Sequence, residues 1–256
     1  KAAARQKTWT DDSGQVHRLV PLAVYGEQDF EYRNAFYLDT GPMVLVFAGL
    51  LEPDDPMITS TLEWFREGPP AKIYRYDGDC WQVPALHREM SSCEPCYSWN
   101  IFISHALGDR LKFLEGVYSL FAGSISRQTY TMCETRGGIT ACNMAHVPVW
   151  LARLAMVDDQ IKNNELHLLR LVPLAWLVSR GSRMLRTPTV FGPLDIFARL
   201  DQKDKELQVE YTPPARRKPA RTYLHIPKIK GLERVVINGV SQEARPGAVV
   251  ELDALI

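Results

Sequence analysis

The sequence lacks an excess of charge of either sign. Its 256 residues include 30 lysine and arginine residues and 30 aspartate and glutamate residues, so its formal net charge is zero. Attraction of a protein to nucleic acid or to anionic lipid depends on an excess of lysine and arginine. The composition therefore argues against nucleic acid as a partner.

Long hydrophobic runs are lacking as well. The longest is 43–51, whereas a helix that spans a bilayer needs about 20 apolar residues. No positively charged segment followed by an apolar core opens the sequence, so we expect a secretory signal to be absent or already removed. We expect no membrane partner, and the cellular location stays open.

Cysteine is scarce. There are five cysteines, an odd number and too few for a disulfide scaffold. Cys93 and Cys96 have the spacing of redox and metal sites, but no second pair of this kind follows, and Cys133 and Cys142 stand nine residues apart. Buried or partly buried free thiols are the expected state of these residues.

What the sequence does contain is a series of apolar helical patterns. Each apolar inner helix is followed by a helix with one polar face, and glycine, proline or aspartate marks the ends. The predicted helices are 40–51, 54–67, 94–107, 109–123 and 143–157.

Short links within the pairs and long loops between them would point all inner helices in one direction. Their N-termini would then lie on one face of a helical toroid. This predicts that four dispersed residues surround a single opening, namely Asp39, Glu94, Glu134 and His146.

The pattern changes after Val157. Apolar residues alternate in 194–200, in 207–211 and in 223–226, as is typical of strands. The segment 235–239 ends in Asn-Gly, a strong hairpin signal. We therefore predict a helical domain over 1–158 and an antiparallel β-sandwich over 159–256.

Three segments carry a resemblance to a known family: Glu165–Trp176, Leu224–Pro227 and Val235–Gly239. In them the sequence resembles the C-terminal half of six-hairpin, (α/α)6-barrel glycosidases. The resemblance implies a partial (α/α)6 toroid, with about half of the twelve helices, followed by a β-sandwich. It also implies a polysaccharide or oligosaccharide substrate. An isolated half-toroid would expose apolar helices, so we expect either the missing N-terminal half of the barrel or a homo-oligomer partner.

A narrower resemblance is to the zinc-thiolate β-L-arabinofuranosidases, whose Glu-x-Cys is similar to Glu94-Pro-Cys96. It implies a zinc site, as an alternative to the absence of any cofactor, at Glu94, Cys96, Cys133 and Cys142. In that family the last two cysteines are adjacent, and here they are separated.

Hydrolysis of a glycosidic bond needs two carboxylates, a proton donor and a base or nucleophile. A helix N-terminus favours the ionised form of Glu94, which suits a base or nucleophile, although it could instead only stabilise its own helix. Glu134 is the candidate acid, with a salt bridge to Arg136 as its alternative role. Asp39 is a third catalytic candidate, or else a neighbour of a helix cap.

Other polar and aromatic residues could contact sugar hydroxyls, rings or carboxylates. The candidate substrate-binding residues are Trp81, His87, Glu89, Tyr130, Arg136 and His146.

Two other functions fit the same fold. A polysaccharide lyase would cleave a uronate-containing glycan by β-elimination, with Tyr130, His87 or His146 removing the proton and Arg136 neutralising the carboxylate. A carbohydrate-binding protein without catalysis would need none of these roles, and fold alone does not separate the three functions.

Overall fold

The structure is a computed structural model that describes residues 7–19, 44–67, 99–124, 146–203 and 205–252. The chain divides into two compact units, Lys1–Val149 and Trp150–Ile256. The domain boundary after residue 158 stays a prediction. None of the helices within the described ranges is long and apolar enough to cross a membrane.

The described part of the first unit combines a β-hairpin with helices. Its elements are β1 (Lys7–Thr10), β2 (Val16–Leu19), α1 (Val44–Phe47), α2 (Pro56–Glu67), α3 (Trp99–Leu107) and α4 (Arg110–Ser124). A further helix, α5 (His146–Met156), contains the boundary between the two units.

The N-terminal hairpin is closed by the side chain of Asp11. Its Oδ1 atom accepts hydrogen bonds from the backbone N–H groups of Ser13 and Gln15, at 2.8 and 3.0 Å. The strands pair in antiparallel register, with Trp9 opposite His17, and these two rings stack 5.1 Å apart.

Helix α2 begins as its sequence predicts. Asp55 Oδ1 accepts a hydrogen bond from the N–H of Met57 at 2.8 Å, which satisfies one of the donors that a helix start leaves without a partner. The apolar side chains of Ile58 and Leu62 are fully buried and share a cluster with Ile103 of α3. The prediction of a helix with one apolar stripe over 54–67 is confirmed.

Helices α3 and α4 form a tight hairpin. Gly108 has φ +72°, a conformation that glycine adopts without strain, and it ends α3. Asp109 Oδ1 then accepts a hydrogen bond from the N–H of Lys112 at 3.0 Å and caps α4. The predicted helix 109–123 thus begins with Asp109 as its cap, and the two helices pack through the rings of His105 and Phe113.

The second unit is built from two mixed sheets. Its strands are β3 (Val157–Asp158), β4 (Glu165–Leu168), β5 (Ser182–Thr187), β6 (Leu194–Asp201), β7 (Glu206–Thr212), β8 (Arg221–His225), β9 (Arg234–Ile237), β10 (Val240–Glu243) and β11 (Val249–Glu251), and a short helix, α6 (Leu174–Leu177), follows β4. One sheet has the order β10-β9-β7-β6-β5 and the other β11-β8-β4-β3.

A single hydrophobic core lies between these sheets. The strand β6 alternates buried and partly buried residues along its whole length, and β4 and β8 contribute Leu166, Leu168 and Leu224 to the same cluster. Since neighbouring residues of a strand point to opposite faces, the other residues of β4 and β8 lie on the outer face of the four-stranded sheet.

The predicted fold class is wrong in its helical part. A partial (α/α)6 toroid requires inner and outer helices that alternate, but α2, the predicted outer helix, packs against strand β2. The predicted inner helix 40–51 is described only from residue 44 and is helical over Val44–Phe47, with Leu50 exposed. Apolar helical patterns give the helices, but they do not determine which element each helix packs against.

The prediction of an antiparallel sandwich is also wrong. The strand β4 pairs with β8 in parallel, and β7 pairs with β9 in parallel. Alternation in a sequence shows that a strand has a buried face, but it carries no information on the direction of the neighbouring strand.

Candidate functional site

Most residues predicted for the active site lie outside the described residues. These are Asp39, Trp81, His87, Glu89, Glu94, Cys96, Tyr130, Cys133, Glu134, Arg136 and Cys142. His146 is the first residue of α5, and its side chain is likewise outside the description. The common opening, the catalytic pair and the zinc ligands therefore stay predictions. Within the described ranges, no group of three or more His, Cys, Asp or Glu residues could hold a metal ion.

The structure brings together a different set of polar residues, on the outer face of the four-stranded sheet. We call this set the histidine face. It comprises Asp158 of β3, Glu165 and His167 of β4, Arg170 just after β4, Arg221, Tyr223 and His225 of β8, and Glu251 of β11. The register places Asp158 opposite His167, His167 opposite Tyr223, and Tyr223 opposite Glu251.

Two histidines lie at the centre of this face. Nδ1 of His167 is 2.9 Å from Nε2 of His225, a hydrogen bond between the imidazole rings. Nε2 of His167 is buried and lies 3.3 Å from Oε2 of Glu165, without hydrogen-bond geometry.

Electrostatics select one tautomer of this pair. A proton on Nε2 of His167 lies near the carboxylate of Glu165 and is stabilised by its charge, whereas a lone pair there would be repelled by it. Nδ1 of His167 then accepts, and Nε2 of His225 donates. As a result, the remaining nitrogen of His225, Nδ1, carries a lone pair.

Both histidines are held in the neutral form. Burial lowers the pKa of His167, although Asp158 and Glu165 partly offset this effect. Burial, together with the nearby His167 and Arg170, lowers the pKa of His225 to about 4. At neutral pH, His225 therefore offers an acceptor nitrogen rather than a positive charge.

The carboxylates of the face lie near cations. Asp158 is fully buried, and its Oδ2 is 3.5 Å from Nη1 of Arg170. Oε1 of Glu165 is 3.1 Å from Nζ of Lys162. Burial opposes ionisation of Glu165, but its contacts with Lys162 and His167 hold the pKa of this carboxyl below its ordinary value.

Arg221 and Tyr223 form the more exposed end of the face. Nη1 of Arg221 donates a hydrogen bond to the hydroxyl oxygen of Tyr223 at 3.1 Å. This bond and the carboxylates of Glu251 and Glu165 raise the pKa of Arg221. Because its oxygen already accepts this bond, the hydroxyl proton of Tyr223 is available to a ligand.

The face therefore offers hydrogen-bond donors and acceptors with its charges paired. The carboxylates of Asp158, Glu165 and Glu251 lie near three cations, Arg170, Lys162 and Arg221. Such a surface suits a ligand with several hydroxyl groups and no net charge. A ligand with a carboxylate would have to compete with Glu165 and Glu251 for the cations.

A concave region lies in the first unit, between the N-terminal hairpin and the start of α2. It has a volume of about 440 Å³ and is lined by parts of 15–18 and 55–60. His17 contributes to it and pairs with Asp11 at 2.8 Å. This pairing lowers the pKa of Asp11 and explains the position of both groups within the hairpin, so the histidine face is the better candidate site.

Sequence reasoning missed the histidine face although part of its signal was present. Glu165 and His167 alternate with leucines, as do Tyr223 and His225, which places polar groups on the outer side of each strand. The two strands are separated in sequence by β5, β6 and β7. Only the parallel pairing of β4 with β8 brings them together, and no local pattern predicts that pairing.

No protein-family model matches this chain, no curated protein matches its sequence, and no solved structure matches its fold.

Proposed function

We propose that the protein is a glycoside hydrolase that acts on a polysaccharide or oligosaccharide. The observation that carries the proposal is the histidine face, where imidazole, phenol, guanidinium and carboxylate groups lie side by side with balanced charge. Several directed donors and acceptors without net charge match the hydroxyl groups of a sugar. The resemblance of Glu165–Trp176 to glycosidases also supports the proposal.

The chemical step is assigned to the carboxylates predicted from the sequence. Glu94 is the base or nucleophile and Glu134 the acid, with Asp39 as a third candidate. This chemistry needs two carboxylates at a suitable separation and does not depend on a toroid. The alternative that includes a cofactor is a zinc site at Glu94, Cys96, Cys133 and Cys142.

Charge balance favours hydrolysis over β-elimination. A lyase has to neutralise the carboxylate of a uronate with a cation. On the histidine face, Arg170 already lies near the carboxylate of Asp158, and Arg221 lies near that of Glu251. The lyase and the non-catalytic binding protein therefore remain as outcomes of the same experiment.

That experiment measures the masses of products formed from a panel of neutral and acidic polysaccharides. We expect products that carry one added water, and Glu94→Gln and Glu134→Gln should each reduce their rate of formation at least about 100-fold. Glu210→Gln is the matched control, because this carboxylate is exposed and pairs with Arg183 on the other sheet.

Three results would contradict the proposal. Unsaturated products would identify a lyase, binding without products would identify a carbohydrate-binding protein, and full hydrolytic rates in both variants would refute the assignment of Glu94 and Glu134.

A further inference from the structure

We propose that the histidine face is a subsite for one uncharged sugar residue, in which Nδ1 of His225 accepts a hydrogen bond from a sugar hydroxyl. This inference rests on the proposed function and deepens it, since it names the chemical class of sugar and the atoms that contact it. The site differs from the predicted catalytic pair, Glu94 and Glu134, and it is built from described residues alone.

The first step of the argument is the orientation of His225. Its Nε2 is 2.9 Å from Nδ1 of His167, and the carboxylate of Glu165 is 3.3 Å from the far side of the His167 ring. This chain of contacts fixes the ring and leaves Nδ1 as an acceptor. No hydrogen bond to Nδ1 is formed within the described part of the chain, and the ring is half-buried.

The second step is the presence of a donor beside this acceptor. Tyr223 lies two residues before His225 on the same face of β8. Arg221 donates to its oxygen at 3.1 Å, and the tyrosine ring packs on His167, with centroids 5.1 Å apart. The phenol is therefore held in place, and its hydroxyl can donate a hydrogen bond to a ligand. Adjacent hydroxyls of a sugar ring can donate to His225 and accept from Tyr223.

The third step is the charge of the ligand. Two carboxylates, Glu165 and Glu251, lie near Arg221 and raise its pKa. Their negative charges therefore already compensate the positive charge of Arg221. Arg170 is in contact with the buried Asp158. Both imidazoles are neutral, so the described residues of the face supply no surplus cation for a uronate or a sulfate. An uncharged sugar is not repelled by the carboxylates of Glu165 and Glu251.

The decisive variant is His225→Gln in the full chain. The side-chain amide of glutamine can place an N–H near the position of Nε2 and so preserve the donation to His167, but it has no counterpart of the Nδ1 lone pair. His17→Gln is the matched control, because it makes the same exchange in the N-terminal hairpin. A second variant, Tyr223→Phe, removes the donor and keeps the ring.

Binding is measured by NMR titration with neutral oligosaccharides, namely xylo-, arabino- and cello-oligosaccharides, and with oligogalacturonate as the acidic probe. We expect at least one neutral probe to shift the His225 and His167 ring signals. His225→Gln and Tyr223→Phe should each weaken its affinity about tenfold, and His17→Gln should leave it unchanged. Circular dichroism checks that each variant is folded.

Several results would overturn the subsite. It fails if none of the neutral probes shifts these signals, if His225→Gln binds like the unmodified protein, or if oligogalacturonate binds more tightly than every neutral probe. A loss of fold in His225→Gln would transfer the test to Tyr223→Phe, whose apolar ring is retained.

The two proposals fail in different ways. Binding at His225 without any hydrolysis would support the subsite and overturn the proposed function. Hydrolysis of a neutral glycan, with the same affinity and KM in His225→Gln, would support the proposed function and overturn the subsite.

Discussion

The histidine pair shows how a residue's surroundings determine its chemistry. An exposed histidine has a pKa near 6.5. Because His225 is partly buried and lies near His167 and the Arg170 guanidinium, its pKa falls to about 4. Asp158 and Glu165 act in the opposite direction on His167 without reversing the effect of burial. Both histidines are therefore uncharged at neutral pH.

This neutrality predicts an acid-sensitive second unit. In the unfolded chain His225 titrates near pH 6.5, and in the folded chain it titrates near pH 4. Between these values the unfolded state binds more protons, so the free energy of unfolding falls as the pH falls through this window. Below about pH 4 the contribution of this residue is constant.

We expect His225 to account for a loss of about 1 to 2 kcal/mol between pH 7.5 and pH 5, after allowance for its partial exposure. Urea unfolding of the second unit at both pH values measures this loss. The His225→Gln variant should lose less stability over the same interval than the unmodified protein. Equal losses in the two proteins would show that His225 does not titrate abnormally.

At the scale of elements, two glycines with similar backbones have different surroundings. Gly181 precedes β5 and has φ +72°, and Gly239 lies in the β9–β10 turn and has φ +84°. A Cβ atom at Gly181 would lie 2.5 Å from the carbonyl oxygen of Ala198 and 2.8 Å from Cβ of Arg199, whereas at Gly239 it would meet nothing within 4 Å.

Alanine at the two positions should therefore have different effects. Gly239→Ala should cost about 1 kcal/mol, because only the left-handed backbone is strained. Gly181→Ala adds a clash with the backbone of β6 and should cost about 1 to 3 kcal/mol more. Thermal or urea unfolding gives both values, and similar destabilisation by the two variants would contradict the close approach of Gly181 to β6.

The same turn shows which parts of the fold the sequence could predict. Asn238 and Gly239 both have positive φ values, and they join β9 to β10 as the Asn-Gly pair predicts. The alternation in 194–200 likewise gives β6. These signals are local, because the residues that carry them also form the turn or the strand.

Contacts between distant segments could not be predicted in this way. The pairing of β4 with β8 creates the histidine face, and its direction depends on how the intervening strands fill the other sheet. The order of the helices predicts a toroid, and the contact of α2 with β2 overturns this prediction. A helix with one apolar stripe packs equally well on a sheet or on another helix.

At the scale of the whole molecule, the second unit contains what a domain needs. Its two sheets enclose one cluster of buried apolar residues. A buried ion pair adds to this core: Oδ1 of Asp159 accepts hydrogen bonds from Nη1 and Nη2 of Arg153, both at 2.8 Å, and its Oδ2 accepts one from the N–H of Val190 at 2.7 Å. Arg153 belongs to α5, so a complete domain must include that helix.

We therefore expect a fragment of residues 146–256, which retains all of α5, to fold by itself. A unit with its own hydrophobic core and most of its polar groups paired should unfold in a single cooperative transition. Far-ultraviolet circular dichroism should show strand structure, and NMR should show the ring signals of His167 and His225 in contact. A fragment that begins at residue 157 keeps β3 but loses Arg153, which leaves Asp159 without its partner and costs about 3 to 5 kcal/mol for a buried pair. The longer fragment should thus be markedly more stable than the shorter one. If both are equally stable, α5 is not part of this domain. If the longer fragment binds hydrophobic dyes and lacks a cooperative transition, the second unit depends on the rest of the chain for its fold.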